Sequence, residues 1–332
     1  EAAHAVREVQ PAAVVVAAVN LPQPQFQALA AEIGARKPYV PLIALNPVTS
    51  LPANALPLWR SEANPDRLVA RLRAALRIRA LHATVLRRLD DDPARQHLPE
   101  IDTSRDATAL LVGRGGNYPA LSVALGERMG VVGALSIEAA ANHLNNRDID
   151  GIVLSEGFTP RVVDAFLTVL SEDARFRNLP IAMTSGPVAR AYDLANLETV
   201  FGEPDEVAAA ALPLIRQHAF EAQLSRTLAA IDAGGLLDPQ TGLLTSTAFA
   251  RDFAKAVAQT QSDGGGLSVA RFAFNPGYPR AQLDGARIIS RLKRQTDFGA
   301  AHHDGSVLAV FNDTDLRAAH VIARRLSSVM RH

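Results

Sequence analysis

The chain has 332 residues, which is more than a single typical core needs and predicts two or three domains. Its 34 basic and 34 acidic side chains balance, so no overall field attracts nucleic acid or an anionic membrane, and we expect neither as a partner. Cysteine is absent, which excludes a disulfide framework, a thiolate zinc site and a cysteine nucleophile.

Residues 1–89 alternate between helical and strand patterns. EAAHAVREV and FQALAAEIGA have helical periodicity, whereas AAVVVAAV and YVPLIAL are short apolar runs typical of buried strands. This alternation predicts a parallel sheet covered by helices. AAVVVAAV is also the longest apolar run, and it is too short to cross a bilayer. Because the chain begins at Glu1, within an apparent helix and without a methionine, we expect further sequence before it.

A long helix and a linker follow. Asn64, Pro65 and Asp66 form a cap for a helix whose apolar stripe runs from Leu68 to Leu86. The next segment, residues 90–107, is polar, proline-containing and poor in apolar residues, which predicts a linker.

Residues 108–222 repeat the alternation more completely. The predicted strands are ATALLVG, VVGAL, GIVL, IAMTS and ETVF, with helices between them. Such a pattern predicts a doubly wound parallel sheet. The last helix is expected to run from about Asp205 towards Ile231, with a kink at Pro213. A helix of this length connects domains or dimerises; the alternative is a long surface helix without a partner.

A glycine-rich turn lies between the first strand and the first helix of this segment. In Gly113-Arg114-Gly115-Gly116-Asn117-Tyr118, helix N–H groups could receive a dinucleotide pyrophosphate. However, Tyr118 stands at the third glycine position, and no acidic residue ends VVGAL to hold a ribose. A plain glycine turn is therefore favoured over NAD or FAD binding.

Both α/β segments resemble receiver domains of bacterial response regulators. The resemblance implies flavodoxin-like folds, with a magnesium-binding acidic pair after the first strand and a phosphoaccepting Asp after the third. Here the first position of the second segment holds Gly113 and Arg114, and its phosphoacceptor position holds Ser155. Ala18 occupies the phosphoacceptor position of the first segment. Because no acidic cluster remains for a hard cation, which prefers oxygen ligands, two pseudo-receivers are implied.

The third segment opens with LLDPQTGLLTSTAF, residues 236–249. It resembles the opening of the diguanylate cyclase, or GGDEF, family, in which D-x-L-T-G-L precedes the first helix. Asp238, Thr241, Gly242 and Leu243 match this pattern, whereas Gln240 does not. The residues also have an ordinary structural interpretation, as a turn followed by a hydroxyl cap of the helix.

The next part of the chain aligns with the signature hairpin of that family. FGAAHH and SVLAVF alternate around Asp304-Gly305, which predicts a two-residue hairpin turn. In the GGDEF positions the two glycines become His303 and Asp304, and the metal-binding acidic pair becomes Gly305 and Ser306. The strand that should carry another metal carboxylate offers Arg271 instead. Joining two GTP molecules requires metal ions, so the resemblance implies that the chain is not a cyclase.

One family site remains, just before the hairpin. Arg294-Gln295-Thr296-Asp297 is an R-x-x-D motif five residues before the signature, where the family has its inhibitory site for cyclic di-GMP. Arginine presents a planar fork to guanine or phosphate, and aspartate accepts from guanine N1 and N2. The i, i+3 spacing at a helix end is expected to point both side chains the same way, with Arg291 supplementing phosphate binding. The alternative is a surface ion pair worth under about 1 kcal/mol.

These features predict a cytoplasmic, homodimeric signalling effector that binds cyclic di-GMP, needs no cofactor or metal, and acts on an unidentified protein partner. The alternative is a scaffold that dimerises and docks without binding nucleotide. The predicted α/β chain contains two flavodoxin-like domains and a GGDEF-type domain with a mixed, partly antiparallel sheet. The boundaries are a pseudo-receiver incomplete at its N-terminus (1–89), a linker (90–107), a second pseudo-receiver (108–222), a connecting helix (223–235) and a degenerate GGDEF domain (236–332).

Overall fold

The computed structural model describes residues 2–17, 22–47, 51–59, 66–90, 106–186, 192–278 and 280–330. The chain forms two compact units. The first unit comprises Glu1–Ala141 and Ile149–Leu224, and the second comprises Asn142–Asp148 and Ser225–His332. Two parallel sheets lie in the first unit and an antiparallel sheet lies in the second, so the α/β class predicted from sequence is confirmed.

The first sheet has three parallel strands in the order β1-β2-β3. Its strands and the accompanying helices are β1 (Val14–Ala17), β2 (Leu42–Leu45), β3 (Ala55–Leu58), α1 (Ala2–Val9), α2 (Gln23–Gly34) and α3 (Asp66–Asp90). The apolar faces of α1 and α2 pack on the sheet, with Phe26, Leu29 and Leu42 buried in one cluster. The sequence does not predict β3, because Pro57 lies inside it; proline is accepted here because β3 is an edge strand.

The second sheet has five parallel strands in the order β5-β4-β6-β7-β8. These are β4 (Thr108–Val112), β5 (Gly130–Ala134), β6 (Gly151–Leu154), β7 (Ile181–Met183) and β8 (Leu197–Thr199). The associated helices are α4 (Tyr118–Gly126), α5 (Ile137–Asn146), α6 (Pro160–Glu172) and α7 (Pro204–Asp232). All five strands coincide with predicted ones. As predicted, α7 is one helix of 29 residues that contains Pro213.

A buried ion pair links α3 to β8 within the first unit. Arg71 is fully buried, and its Nη2 donates to Oε1 of Glu198 over 2.8 Å. Its other nitrogens donate to the carbonyls of Pro57 (2.8 Å) and Ala195 (2.9 Å). Arg67 adds a second cation 3.0 Å from the same carboxylate oxygen. A buried charge is tolerated only when it is paired and hydrogen-bonded, and this cluster satisfies that condition for the arginine.

The third sheet contains three antiparallel strands in the order β10-β11-β9. The strands and helices are β9 (Leu267–Phe272), β10 (Phe298–Ala301), β11 (Val307–Asn312), α8 (Ser246–Asp263), α9 (Ala281–Leu292) and α10 (Leu316–Met330). Phe272, Ile289, Phe311 and Leu326 form part of the buried core between sheet and helices. The predicted hydroxyl cap is present at the start of α8, where Thr245 accepts from the N–H of Ala248.

Some sequence predictions concern residues outside the described ranges. They are the phosphoacceptor position at Ala18, the Asn64-Pro65 part of the α3 cap, and most of the predicted linker. Among the described helices, none has both the length and the apolar character that crossing a membrane requires.

Candidate functional site

The hairpin between β10 and β11 has a longer connection than the sequence predicts. The N–H of His302 donates to the carbonyl of Ser306 over 2.8 Å, and the N–H of Gly305 donates back to the carbonyl of His302 over 3.1 Å. Gly305 has a φ of 82° and is the one residue between these strands with a positive φ. The hairpin is confirmed, but the two-residue turn is wrong: three residues separate the bonded pair, with glycine in the left-handed position.

Asp304 lies at the centre of a hydrogen-bond network at the hairpin tip. Its Oδ1 accepts from the hydroxyl of Ser306 (2.6 Å) and lies 3.0 Å from Nδ1 of His302. Its Oδ2 accepts from Nη2 of Arg271 on β9 over 2.7 Å. The Ser306 bonds, followed by those of His302 and Arg271, hold the pKa of Asp304 far below its ordinary value. The carboxylate is therefore ionised and already bound to donors of the protein.

Arg271 occupies the strand position where the family resemblance places a metal carboxylate. Besides the bond to Asp304, its Nε donates to the hydroxyl of Ser306 over 3.2 Å. A guanidinium at this place supplies positive charge to the hairpin tip from within the protein. Nowhere in the described part of the chain do three or more His, Asp or Glu side chains gather in a way that could hold a metal ion.

Arg294 lies on the surface just after α9. The helix ends at Leu292, and Lys293 follows in an extended conformation with ψ of 154°. The side chain of Arg294 is exposed and makes no hydrogen bond or ion pair with the described residues. Its carbonyl accepts from the N–H of Asp297 over 3.1 Å, so residues 294–297 form a turn rather than a helical turn of α9.

Asp297, the other half of the motif, is buried, with 3% of its surface exposed. Its Oδ1 accepts from the backbone N–H of Asn312 on β11 over 3.3 Å, and its Oδ2 has no partner among the described residues. The expectation that Arg294 and Asp297 point the same way assumed helical spacing, which ends before them. The structure therefore places the two residues in one turn without joining their side chains.

Arg291, the predicted supplement to phosphate binding, is engaged elsewhere in the second unit. Its Nη1 lies 3.1 Å from Oδ1 of Asp148, and its Nε donates to the carbonyl of Asn145 over 3.1 Å. These contacts attach the last turn of α9 to the segment 142–148. A ligand phosphate would have to compete with Asp148 for this guanidinium.

Ser155 follows β6 at the position that the receiver resemblance gives to a phosphoaccepting Asp, and the sequence did not single out its neighbour Glu156. Ser155 is buried, and its hydroxyl has no partner among the described residues. The next residue, Glu156, accepts through its carboxylate from the N–H of Asn117 over 3.1 Å. A Cβ on Gly115 would lie only 2.0 Å from Cγ of Glu156, so any larger residue there would have to displace the Glu156 side chain. The sequence contained one signal for this contact: Glu156 is an acidic residue just after a predicted strand, and a glycine-rich turn follows another strand of the same segment.

This geometry favours the plain glycine turn over dinucleotide binding in the second sheet. One N–H group at the start of α4, that of Asn117, could donate to a pyrophosphate oxygen, but it already donates to the carboxylate of Glu156. Arg114 also turns towards this loop, with Nε donating to the carbonyl of Gly157 over 2.9 Å. The loop that follows β4 and the loop that follows β6 are therefore hydrogen-bonded to each other.

Comparison of the chain with known protein families finds no family that matches, and comparison with curated proteins finds no significant relative.

Proposed function

We propose that the chain is a non-catalytic signalling effector that binds cyclic di-GMP at the turn of residues 294–297. The observation that carries this proposal is the side chain of Arg294, which is exposed and makes no bond with the described residues. A guanidinium fork matches either the O6 and N7 acceptors of guanine or a phosphate. Its place directly before the hairpin is the place of the family's inhibitory site.

Asp297 supplies the second group in this proposal. An unpaired buried carboxylate oxygen is costly, so a ligand that brings N–H donors to Oδ2 recovers that cost. The N1 and N2 donors of guanine have this character. Because Asp297 is covered in the structure, binding requires the turn to open around it.

Arg291 connects ligand binding to the segment 142–148 of the second unit, because it contacts that segment in the structure. In the proposed complex its guanidinium exchanges Asp148 for a ligand phosphate, which releases the segment 142–148 from α9. Ligand binding and the position of that segment are then coupled, because both draw on the same side chain. A protein partner could detect this change.

The fold and the hairpin chemistry support the other parts of the proposal. The second sheet has the order 2-1-3-4-5 counted within its own segment, which is the flavodoxin-like order. In the first sheet the three strands lie side by side in the order in which they occur in the chain. The last three strands of the second sheet, β6, β7 and β8, do the same. At the hairpin, Arg271 takes the strand position that the resemblance gives to a metal-binding carboxylate, and it binds Asp304 instead. A degenerate receiver, receiver, GGDEF protein that is cytoplasmic and dimeric fits these features.

Calorimetric titration with cyclic di-GMP tests the proposal. We expect micromolar or tighter binding that Arg294→Ala abolishes. Arg317→Ala is the matched control, because Arg317 is an exposed arginine of the same unit that the proposal does not involve. Absence of heat with the unaltered chain, or equal loss in both variants, would exclude this site.

A scaffold without nucleotide binding is the second candidate, and one observation favours it. Two of the three proposed ligand residues, Asp297 and Arg291, already bind groups of the protein. A scaffold predicts a dimer in sedimentation velocity whose stability is unchanged by Arg294→Ala and by cyclic di-GMP. The effector hypothesis predicts that the nucleotide changes the sedimentation coefficient of the chain or the hydrogen exchange of its amides.

A further inference from the structure

The first unit contains a pocket of about 560 Å³ that the proposed function does not use. It lies between α2, the segment that leads into β3, and the middle of α7. The described residues that line it all belong to the first unit. Its volume falls within the range of about 300–1,000 Å³ that is usual for small-molecule sites, so it has room for a whole small molecule.

Much of the lining is apolar. Ala30 and Ala31 of α2 contribute to it, and Pro213 and Phe220 contribute from α7. The loop before β3 is held against α2, because Nδ2 of Asn54 donates to the carbonyl of Ala30 over 2.7 Å. These surfaces suit the apolar body of a ligand.

Two polar side chains of the lining, Tyr39 and Gln217, bind each other. Nε2 of Gln217 donates to the hydroxyl oxygen of Tyr39 over 2.9 Å. Within the described chain, no group accepts the hydroxyl hydrogen of Tyr39 and none donates to Oε1 of Gln217. Burial raises the pKa of Tyr39 to about 12, so the hydroxyl keeps its hydrogen at neutral pH. Because Gln217 is buried, its unpaired carbonyl oxygen costs free energy that a ligand with a donor recovers.

The pair presents one donor and one acceptor whichever way the Gln217 amide is turned. With Nε2 towards Tyr39, the hydroxyl hydrogen is the donor and Oε1 is the acceptor. With the amide reversed, Oε1 accepts from the hydroxyl, whose oxygen becomes the acceptor, and the amide N–H groups donate. A carboxamide, with its C=O and N–H side by side, complements both arrangements. A carboxylate offers no donor and an ammonium group offers no acceptor.

We propose that this pocket binds a neutral small molecule in which an apolar body carries a carboxamide. The C=O and N–H of the carboxamide bind Tyr39 and Gln217, and the body lies against Ala30, Ala31 and Pro213. Arg216 also lines the pocket, but it already interacts with another group, so the selectivity rests on the uncharged pair. The site is separate from the turn of residues 294–297, which belongs to the second unit.

Calorimetric titration of the full chain with 4-butylbenzamide tests the ligand class. Two probes keep the butylphenyl body: 1-(4-butylphenyl)ethanone, in which a methyl group replaces the amide NH₂, and the anion 4-butylbenzoate. Both lack the N–H donor and leave one polar group of the pair unpaired. We expect saturable binding of the amide that is at least about threefold tighter than that of either probe. A smaller advantage over either one, or no saturable binding of the amide, would overturn the proposal.

Gln217→Met tests the role of the pair. Methionine keeps the unbranched shape of glutamine but removes its amide, so the tyrosine hydroxyl binds the amide and the ketone equally well. We expect the preference for 4-butylbenzamide over the ketone to disappear. Gln25→Met is the matched control, because Gln25 is an exposed glutamine of α2 that does not line the pocket, and it should keep the preference. A preference that survives in Gln217→Met would contradict the assigned contacts.

Tryptophan variants locate the binding. Ala31→Trp and Ala53→Trp place an indole in the pocket from two different segments, both at exposed positions. Ala28→Trp is the control, since Ala28 is exposed on the same helix as Ala31 but does not line the pocket. We expect both pocket variants to weaken binding of 4-butylbenzamide by at least about tenfold and the control to bind as the unaltered chain does. If a folded pocket variant, judged by circular dichroism, keeps full affinity, the site is elsewhere and the proposal fails.

Discussion

Asp304 and Arg271 form an ion pair in which every strong contact of the carboxylate comes from the hairpin or from β9. The bonds from Ser306, His302 and Arg271 favour the ionised form. These bonds explain why Asp304 is charged in the folded hairpin. The network stabilises the turn that Gly305 makes possible.

A pH dependence of stability follows from this network. The pKa of Asp304 is lowered in the folded state from an ordinary value of 3.8, so the unfolded chain binds the proton more tightly. The stabilisation is therefore fully present above about pH 5 and is lost as the pH falls below about 4. Urea denaturation of the unaltered chain and of Asp304→Asn should show a smaller fall in unfolding free energy on acidification for the variant. Parallel curves would contradict the prediction.

Gly115 and Gly116 provide a second prediction at the scale of single residues. A methyl group on Gly115 meets Glu156 at 2.0 Å and displaces its carboxylate from the N–H of Asn117, whereas one on Gly116 meets nothing within 4 Å. Gly115→Ala should lower the unfolding free energy by about 1–2 kcal/mol. Gly116→Ala should be neutral or slightly stabilising. Thermal or urea denaturation compares the two, and equal effects would show that Glu156 is not held there.

Helix α3 and strand β8 depend on each other through a buried charge. Arg71 donates three hydrogen bonds, to Pro57, Ala195 and Glu198, and its side chain is fully buried. The cost of removing both charges from water offsets much of their attraction, so the pair adds little net stability. Either charge alone would nevertheless be strongly destabilising in this buried position.

Removing one partner of this pair is expected to be costly. Arg71→Met leaves the buried Glu198 with Arg67 as its remaining ion-pair partner in the described chain, and should lower the unfolding free energy by about 3–5 kcal/mol. Arg73→Met on the same helix removes an exposed arginine and should change it by less than about 0.5 kcal/mol. The double variant Arg71→Met, Glu198→Leu should recover part of the loss. No recovery would mean that packing, rather than the unpaired charge, sets the cost.

Elements with a clear pattern were predictable, and exceptions have identifiable causes. Apolar runs such as GIVL and periodic segments such as FQALAAEIGA coincide with β6 and α2. Strand β3 was missed because Pro57 argues against a strand unless the strand lies at an edge. The hairpin turn was predicted with two residues, but a sequence pattern does not distinguish Asp304-Gly305 as the turn from a longer turn that ends at Gly305.

The candidate site was predictable only in position. The sequence places Arg294 and Asp297 before the hairpin, and the structure agrees. The direction of each side chain depended on where α9 ends, and Lys293 leaves the helix with an extended conformation. Helix ends are uncertain by one or two residues in any sequence pattern, and here that uncertainty decides whether the two side chains face each other. Glu156 was missed because its partner, the N–H of Asn117, lies 39 residues away in the chain.

At the scale of the whole molecule, α5 and α7 each contribute residues to both compact units. The first unit takes residues up to Ala141 from α5, and the second takes the remainder of that helix together with Asp148. The segment held by Arg291 is thus connected by covalent and helical continuity to the first unit.

The contact between Arg291 and Asp148 gives a prediction that rests on the proposed function. Asp148→Asn removes the competitor for Arg291, so it should tighten cyclic di-GMP binding about two- to tenfold in a calorimetric titration. Glu172→Gln, an exposed acid on α6, serves as a charge-matched control and should leave the affinity unchanged. In hydrogen exchange, the amides of residues 142–148 should lose protection when the nucleotide is added. Weaker binding by Asp148→Asn would argue that Arg291 does not leave its partner.

The ion pair at the hairpin tip also differs from a bound metal ion in the source of its positive charge. A hairpin held together by magnesium changes its population of ordered states whenever the free metal concentration changes. Here the positive charge is covalently attached to β9 through Arg271, so its local concentration is constant. If the proposed function holds, the affinity for cyclic di-GMP should therefore be the same with and without added magnesium ions.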